Sequence, residues 1–177
     1  MNITKINIMK IAIYGPMCSG KTTVADIIKE INPKYEIFSF GKKIKTIAKE
    51  LFDMKGKNRS LLINIADKMR EIDEDVWAKY IIEQTKDTDF CLIDDLRFQN
   101  ELKYLDNWTI ICLTTSDCVR IERIKKLYPE NYEDHIKNMN HKSETDTLLF
   151  PKNTVYLDTD TDYLTLKTKV HEILGCV

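Results

Sequence analysis

The chain has 177 residues and a formal net charge of −1, with 31% charged and 43% hydrophobic residues. This length suits one domain with a buried core, and the near-neutral balance lacks the overall basicity of a duplex-DNA binder, so no direct nucleic-acid binding is expected. No apolar run approaches the roughly 20 residues needed to span a bilayer, so no membrane segment is expected either.

The opening MNITKINIMKIAIYG is too short and too mixed for a secretory leader, and it runs into a first strand predicted over residues 7–14. Val24, Ile27, Ile28 and Ile31 then share one face of a helix. EIFSF (36–40) reads as a second strand. Ile44, Ile47, Ala48 and Leu51 mark a second helix, and Leu62, Ile65, Ala66 and Met69 a third. The fourth carries Val76, Trp77, Tyr80 and Ile81 and is opened by the acidic DEDV, which suits a helix start. Strands DFCLID (89–94), WTIICLT (108–114) and TVYLD (154–158) follow, and a last helix spans Tyr163 to Leu174. Five short apolar strands separated by helices predict an α/β fold of three layers, with a parallel sheet covered on both faces, in one domain over 1–177. Thr115 to Phe150 breaks this rhythm: it is polar and too long for an ordinary connection, which predicts an inserted helical lid over 115–150.

Cys18, Cys91, Cys112, Cys118 and Cys176 are odd in number and form no CxxC pair, as expected for reduced thiols in the cytoplasm. A zinc site from Cys118, His135 and His141 lacks the usual ligand spacing. The chain holds 22 Lys but only five Arg, at 59, 70, 97, 120 and 123. With Lys as the default cation, the arginines are candidates for bidentate grip on phosphate or carboxylate, which a point charge does poorly.

One motif carries specific chemistry. The run from Gly15 through Pro16, Met17, Cys18 and Ser19 to Gly20, Lys21 and Thr22 matches the phosphate-binding loop G-x-x-x-x-G-K-[ST], with an apolar strand before it and an amphipathic helix after it. The glycines let the backbone curl so that N–H groups point at a phosphate, and the helix start adds the positive end of its dipole. Lys21 is expected to neutralise β- and γ-phosphate charge, Thr22 to ligate Mg²⁺, and Gly15 to Thr23 together to bind ATP. A GTPase would want a D-x-x-G after a strand and an N/T-K-x-D for guanine, and neither occurs. A helicase or motor would need more chain. A small P-loop kinase remains, with a nucleotide-binding regulator lacking transfer activity as the other class.

From the loop to the last strand the sequence resembles the deoxynucleoside monophosphate kinases of viral and phage type, on FSFGKKIKTIAKELF (38–52), REIDEDVWAKY (70–80), LIDDLRFQNE (92–101) and HKSE (141–144) besides the loop. The resemblance implies transfer of the γ-phosphate of ATP to a deoxynucleoside monophosphate, an acceptor-binding helical region at 41–88, and a host cytosol if the chain is viral. It leaves a homodimer open. Leu62-Ile63-Asn64 through Ala66-Asp67 departs from the family's usual Gln and Gly-Thr pattern, so the bases accepted are not implied. Kinases of other small phosphorylated acceptors, such as phosphomevalonate kinase, share some of this layout.

Elementary chemistry agrees with a phosphate acceptor. A phosphate monoester has its second pKa near 6 and is mostly dianionic at neutral pH, so no strong general base is needed. What two polyanions need is cationic crowding and alignment. Asp94 is expected to orient the metal and Asp95 to face the acceptor, although spacing alone does not separate the two. Arg97, just beyond the third strand, is placed to clamp the acceptor phosphate. Lys45 and Arg70 fall in the region where the resemblance puts the acceptor, and Arg59 is a weaker candidate. Arg120 and Arg123, three apart, share a helix face and are expected to close over ATP. Trp77 and Tyr80 are candidates to stack on the acceptor base, with the core as the other reading. Glu144 is assigned to the acceptor side through HKSE; Ser143 with Asp146 also resembles a capping box.

Overall fold

The computed structural model describes residues 10–141, 144 and 148–175. Residues 7–9 of the first expected strand, the Ser143–Asp146 capping box and Cys176 lie outside the described residues. Five strands, β1 (Lys10–Tyr14), β2 (Glu36–Phe38), β3 (Cys91–Leu96), β4 (Thr109–Thr114) and β5 (Val155–Asp158), form one parallel sheet in the order β2-β3-β1-β4-β5. The helices are α1 (Lys21–Ile31), α2 (Phe40–Phe52), α3 (Arg59–Ile72), α4 (Val76–Thr85), α5 (Gln99–Leu102), α6 (Asp117–Leu127), α7 (Tyr132–Lys137) and α8 (Tyr163–Ile173), with a 3₁₀ turn at Asn138–Asn140.

Strand periodicity divides the core into two layers. Ile11 and Ile13 of β1 pack with Val24, Ile27 and Ile28 of α1 and Leu166 and Val170 of α8. Ala12, between them, faces the opposite layer, where Ile93 and Ile110 meet Ile44 and Ala48 of α2, Leu62 and Ile65 of α3 and Trp77 and Ile81 of α4. The sheet is thus covered on both faces, as a parallel sheet requires. Leu51 is the exception to the expected stripe of α2: it is 74% exposed, because Phe40, Ile44 and Ala48 already fill the face that meets the sheet.

The third strand ends later than its apolar run suggests. It continues through Asp94 and Asp95 to Leu96, and there its register with β1 slips: Ala12 pairs with Ile93 but Tyr14 pairs with Leu96. The extra residue lies at the carboxyl end of the sheet, where such an irregularity redirects side chains next to a site. Asp95 uses its position to hold α2. Its carboxylate accepts from the backbone N–H of Phe40 (2.8 Å) and Gly41 (2.8 Å) and from Ser39 Oγ (2.6 Å), satisfying orphan donors at the helix start. A Cβ on Gly41 would stand 3.1 Å from Asp95 Oδ2, so the glycine permits this approach.

Within 115–150, α7 and the residues leading into it are seated on the start of α3, and α6 packs on α7. Asn131 Nδ2 donates to the Lys57 carbonyl (2.7 Å), Ser60 Oγ to Asp134 (2.7 Å) and the Arg59 N–H to Asp134 (3.1 Å). The Lys57 ammonium reaches the Tyr128 hydroxyl at 2.7 Å. Replacing Asp95 with Ala removes three hydrogen bonds to a charged acceptor, and the free energy of unfolding in urea is expected to fall by about 2–3 kcal/mol. An unchanged midpoint would contradict this capping role.

Candidate active site

The phosphate loop leaves β1 at Gly15. A Cβ there would lie 2.5 Å from Ser19 Oγ and 3.1 Å from Leu113 Cβ, so the turn closes only around glycine. Gly20 sits at φ +96°, a left-handed conformation natural to glycine, and α1 begins at the next residue. Met17, Cys18, Gly20, Lys21, Thr22 and Thr23 line a cavity of about 460 Å³, while Gly15, Pro16 and Ser19 form the loop's underside. The Ser19 carbonyl accepts from Thr159 Oγ1 at 2.7 Å, which ties the loop to the end of β5.

Lys21 is buried and folds back on its own loop, donating to the carbonyls of Gly15 (2.6 Å) and Pro16 (2.7 Å). Burial, followed by the positive charge of Arg97, lowers its pKa to about 7. The two adjacent aspartates separate here. Asp95 holds the start of α2 while also lining the cavity. Asp94 Oδ1 is buried with no hydrogen-bond partner. Burial and the neighbouring Asp95 push its carboxyl up to about 6. Among the described residues no group of three or more His, Cys, Asp or Glu side chains converges, so a divalent cation would take few protein ligands. Thr22 and Asp94 both line the cavity, and a hydroxyl with one carboxylate fits Mg²⁺, which retains waters and takes one or two carboxylates alongside substrate phosphates.

The opposite wall is built on arginines. Arg97 follows β3 directly, and its backbone N–H, with that of Phe98, donates to the Glu101 carboxylate at 2.8 and 3.0 Å. Glu101 is buried, which pushes its pKa up to about 7. Arg70 stacks over the Phe98 ring (4.1 Å), bonds Asp67 (3.0 Å) and stands 3.7 Å from Glu101. The other oxygen of Asp67 meets His141 Nε2 at 3.2 Å. Arg59, in the first turn of α3, joins Arg97 at one shared carboxylate, Oε1 of Glu144. The other oxygen of Glu144 accepts the Met17 N–H from the loop. Burial raises the Glu144 pKa, but Arg97, Arg59 and Lys21 outweigh it and hold the carboxyl below its ordinary range.

Lys21, Thr22, Asp94, Lys45, Arg70, Arg97 and Arg123 therefore share one cavity. Trp77, expected to stack on an acceptor base, is a core residue instead: it is buried, and its indole N–H donates to the Ala66 carbonyl at 3.2 Å. Tyr80 is likewise away from the cavity wall. Arg120 is buried behind the loop, where its Nε donates to the Met17 carbonyl (3.0 Å) and Nη1 to Asp117 (2.7 Å), so it braces the loop rather than facing ATP. Arg123 reaches the cavity while donating to the carbonyls of Cys18 (3.2 Å) and Thr159 (2.7 Å). Arg59 is the residue sequence reasoning undervalued. Its signal was the preceding Asn58, which caps α3 by accepting from the Leu61 N–H at 2.9 Å and so sets Arg59 in the first turn.

This site and sheet order define a phosphate-loop nucleotide-binding protein of α/β architecture. A family model of the AAA domain matches residues 11–146, and the chain belongs to that family. A search of curated proteins returns no match. Among solved structures it is similar to a gluconokinase from Sinorhizobium meliloti 1021, at 16% identity over 96% of this chain and 93% of that one, with a TM-score of 0.62. A shikimate kinase from Aquifex aeolicus vf5 is 17% identical over 94% of this chain and 96% of its own, with a TM-score of 0.53. TT1252 from Thermus thermophilus is 12% identical over the same shares, at 0.60. At these identities the likeness is one of fold. Among the described residues no helix is long and apolar enough to cross a membrane.

The lowered pKa of Lys21 gives a signed prediction. At pH 8 its amine is mostly neutral in the free protein, and a bound triphosphate favours the ammonium, so binding should take up close to one proton. At pH 6 the amine is already charged and uptake should be near zero. Calorimetry in buffers of different ionisation enthalpy measures this; equal uptake at both pH values would contradict it.

Proposed function

We propose that the protein transfers the γ-phosphoryl group of ATP to a deoxynucleoside monophosphate, giving ADP and the deoxynucleoside diphosphate. The observation that carries this reading is the single cavity in which the phosphate loop faces Arg59, Arg70 and Arg97. A donor phosphate chain on one side and a cationic wall on the other suit a reaction that joins two anions. The kinases named among similar folds support phosphoryl transfer, and the segments at 38–52, 70–80, 92–101 and 141–144 support a deoxynucleotide acceptor.

In this mechanism the loop amides and Lys21 hold the β- and γ-phosphates of ATP. Arg97 and Arg59 draw the acceptor phosphate toward the γ-phosphorus, and an oxygen of that dianion attacks it in line. The bond from γ-phosphorus to the β–γ bridging oxygen breaks, and its electron pair departs with ADP. Mg²⁺, held by Thr22 and Asp94, would neutralise charge on the phosphate oxygens. Water exclusion by α6 and α7 would suppress idle hydrolysis.

The protein, ATP and Mg²⁺ are incubated with each of the four deoxynucleoside monophosphates, and in parallel with gluconate and shikimate. A diphosphate product from at least one nucleotide is expected; transfer only to gluconate or shikimate, or to nothing, would contradict the proposal. Arg97→Ala is expected to lower kcat by about 10³-fold with a much smaller change in the KM for ATP, as for an arginine acting on transferring phosphate.

A further inference from the structure

Among the described residues, the buried Glu144 carboxylate bonds groups from both sides of the cavity, Met17 of the phosphate loop and Arg59 and Arg97 of the opposite wall. Its carboxylate is fully buried, with Oε2 on the Met17 N–H of the phosphate loop and Oε1 on both Arg59 and Arg97. These are donors that phosphate oxygens seek: a loop amide and two guanidiniums, with the Lys21 ammonium contributing its charge nearby. The buried carboxylate thus already holds, from behind the cavity wall, donors of both sides that an incoming anion would need.

We infer that Glu144 is a resident anion that an incoming phosphate must displace, and that it thereby restricts the acceptor to phosphate monoesters. This deepens, and rests on, the reading of the cavity as a phosphoryl-transfer site. The physical reason is charge matching. Removing the carboxylate from two nearly buried guanidiniums, whose side chains are 12% and 18% exposed, strands them unless the replacement brings equal negative charge. A phosphate dianion does so. An acceptor offering only a hydroxyl does not, so it is refused by an unpaired-charge penalty rather than by shape. Water meets the same refusal. With ATP bound and no acceptor, Glu144 keeps the arginines engaged, and the groups that would stabilise transfer to water stay withheld.

The test uses inorganic phosphate as the probe, titrated by calorimetry into the full-length protein and its Glu144→Gln variant, with near-ultraviolet circular dichroism to establish that each is folded. Glu144→Gln keeps the shape, loses the charge, and is expected to bind phosphate at least about tenfold more tightly. It is also expected to hydrolyse ATP without acceptor several-fold faster than the parent protein. Equal or weaker phosphate binding would overturn the inference, since it would make Glu144 a builder of the site rather than its competitor. Should Glu144→Gln fail to fold, Glu144→Asp serves: it keeps the charge but is one methylene too short to span loop and arginines, and tighter phosphate binding than the parent is again expected, with no change counting against displacement. Phosphate affinity is read without turnover. A protein that transfers to no deoxynucleotide would sink the kinase reading and leave this result standing.

Discussion

The constraint on which the rest of the structure depends is the crowding of positive charge at the carboxyl end of the sheet. Lys21, Arg59 and Arg97 line one cavity, and their mutual repulsion is large there: two unit charges 4 Å apart interact by about 4 kcal/mol at an effective dielectric of 20. The cost is visible in Lys21, whose amine is drawn down to about 7 by burial and by Arg97. Two carboxylates, Glu144 and Asp95, partly offset the charge at Lys21. A surplus held this way binds anions, and two anions that repel each other in water are brought together most readily where such a surplus awaits them.

Holding cations close requires a rigid frame, and ionised side chains gripping backbone supply much of it. Asp95 fixes the start of α2 through Phe40 and Gly41. Glu101 fixes the turn that aims Arg97. Arg120 and Arg123 hold the phosphate loop by the carbonyls of Met17 and Cys18, and Thr159 holds it by that of Ser19. Each is a charged or polar side chain that a survey of reactive groups would assign to catalysis, yet each grips main-chain atoms. Electrostatic stabilisation is effective when its dipoles are already in place, so these braces belong to the chemistry even where they do not touch a phosphate.

The fold was legible because burial on both faces leaves a strong signal: apolar runs such as IAIY and CLI can be little else between helical stripes. The loop was legible because its spacing is a backbone requirement, seen in the clash a Cβ would make at Gly15 and the positive φ of Gly20. Individual roles were less so, because they depend on which long-range partner claims a side chain. Nothing local distinguishes Asp94 from Asp95; Ser39, Phe40 and Gly41, more than fifty residues away, decide it. The register slip in β3 that brings both aspartates to the cavity leaves no composition signal. Arg59 gains its place from α7 and Glu144, Trp77 loses its place to the Ala66 carbonyl, and Leu51 is exposed because shorter-range residues already cover the sheet.

On the proposed reading two phosphate-bearing molecules meet end to end in the cavity, which should then prefer one molecule carrying both. The most direct measurement is calorimetric binding of adenosine joined through a pentaphosphate to a deoxynucleoside, compared with ATP alone under the same salt. Filling both halves through a single tether is expected to improve affinity over ATP by about 10²-fold or more. Affinity no better than that of ATP would mean that the arginine wall does not receive a second phosphate, and the account of this site would be wrong.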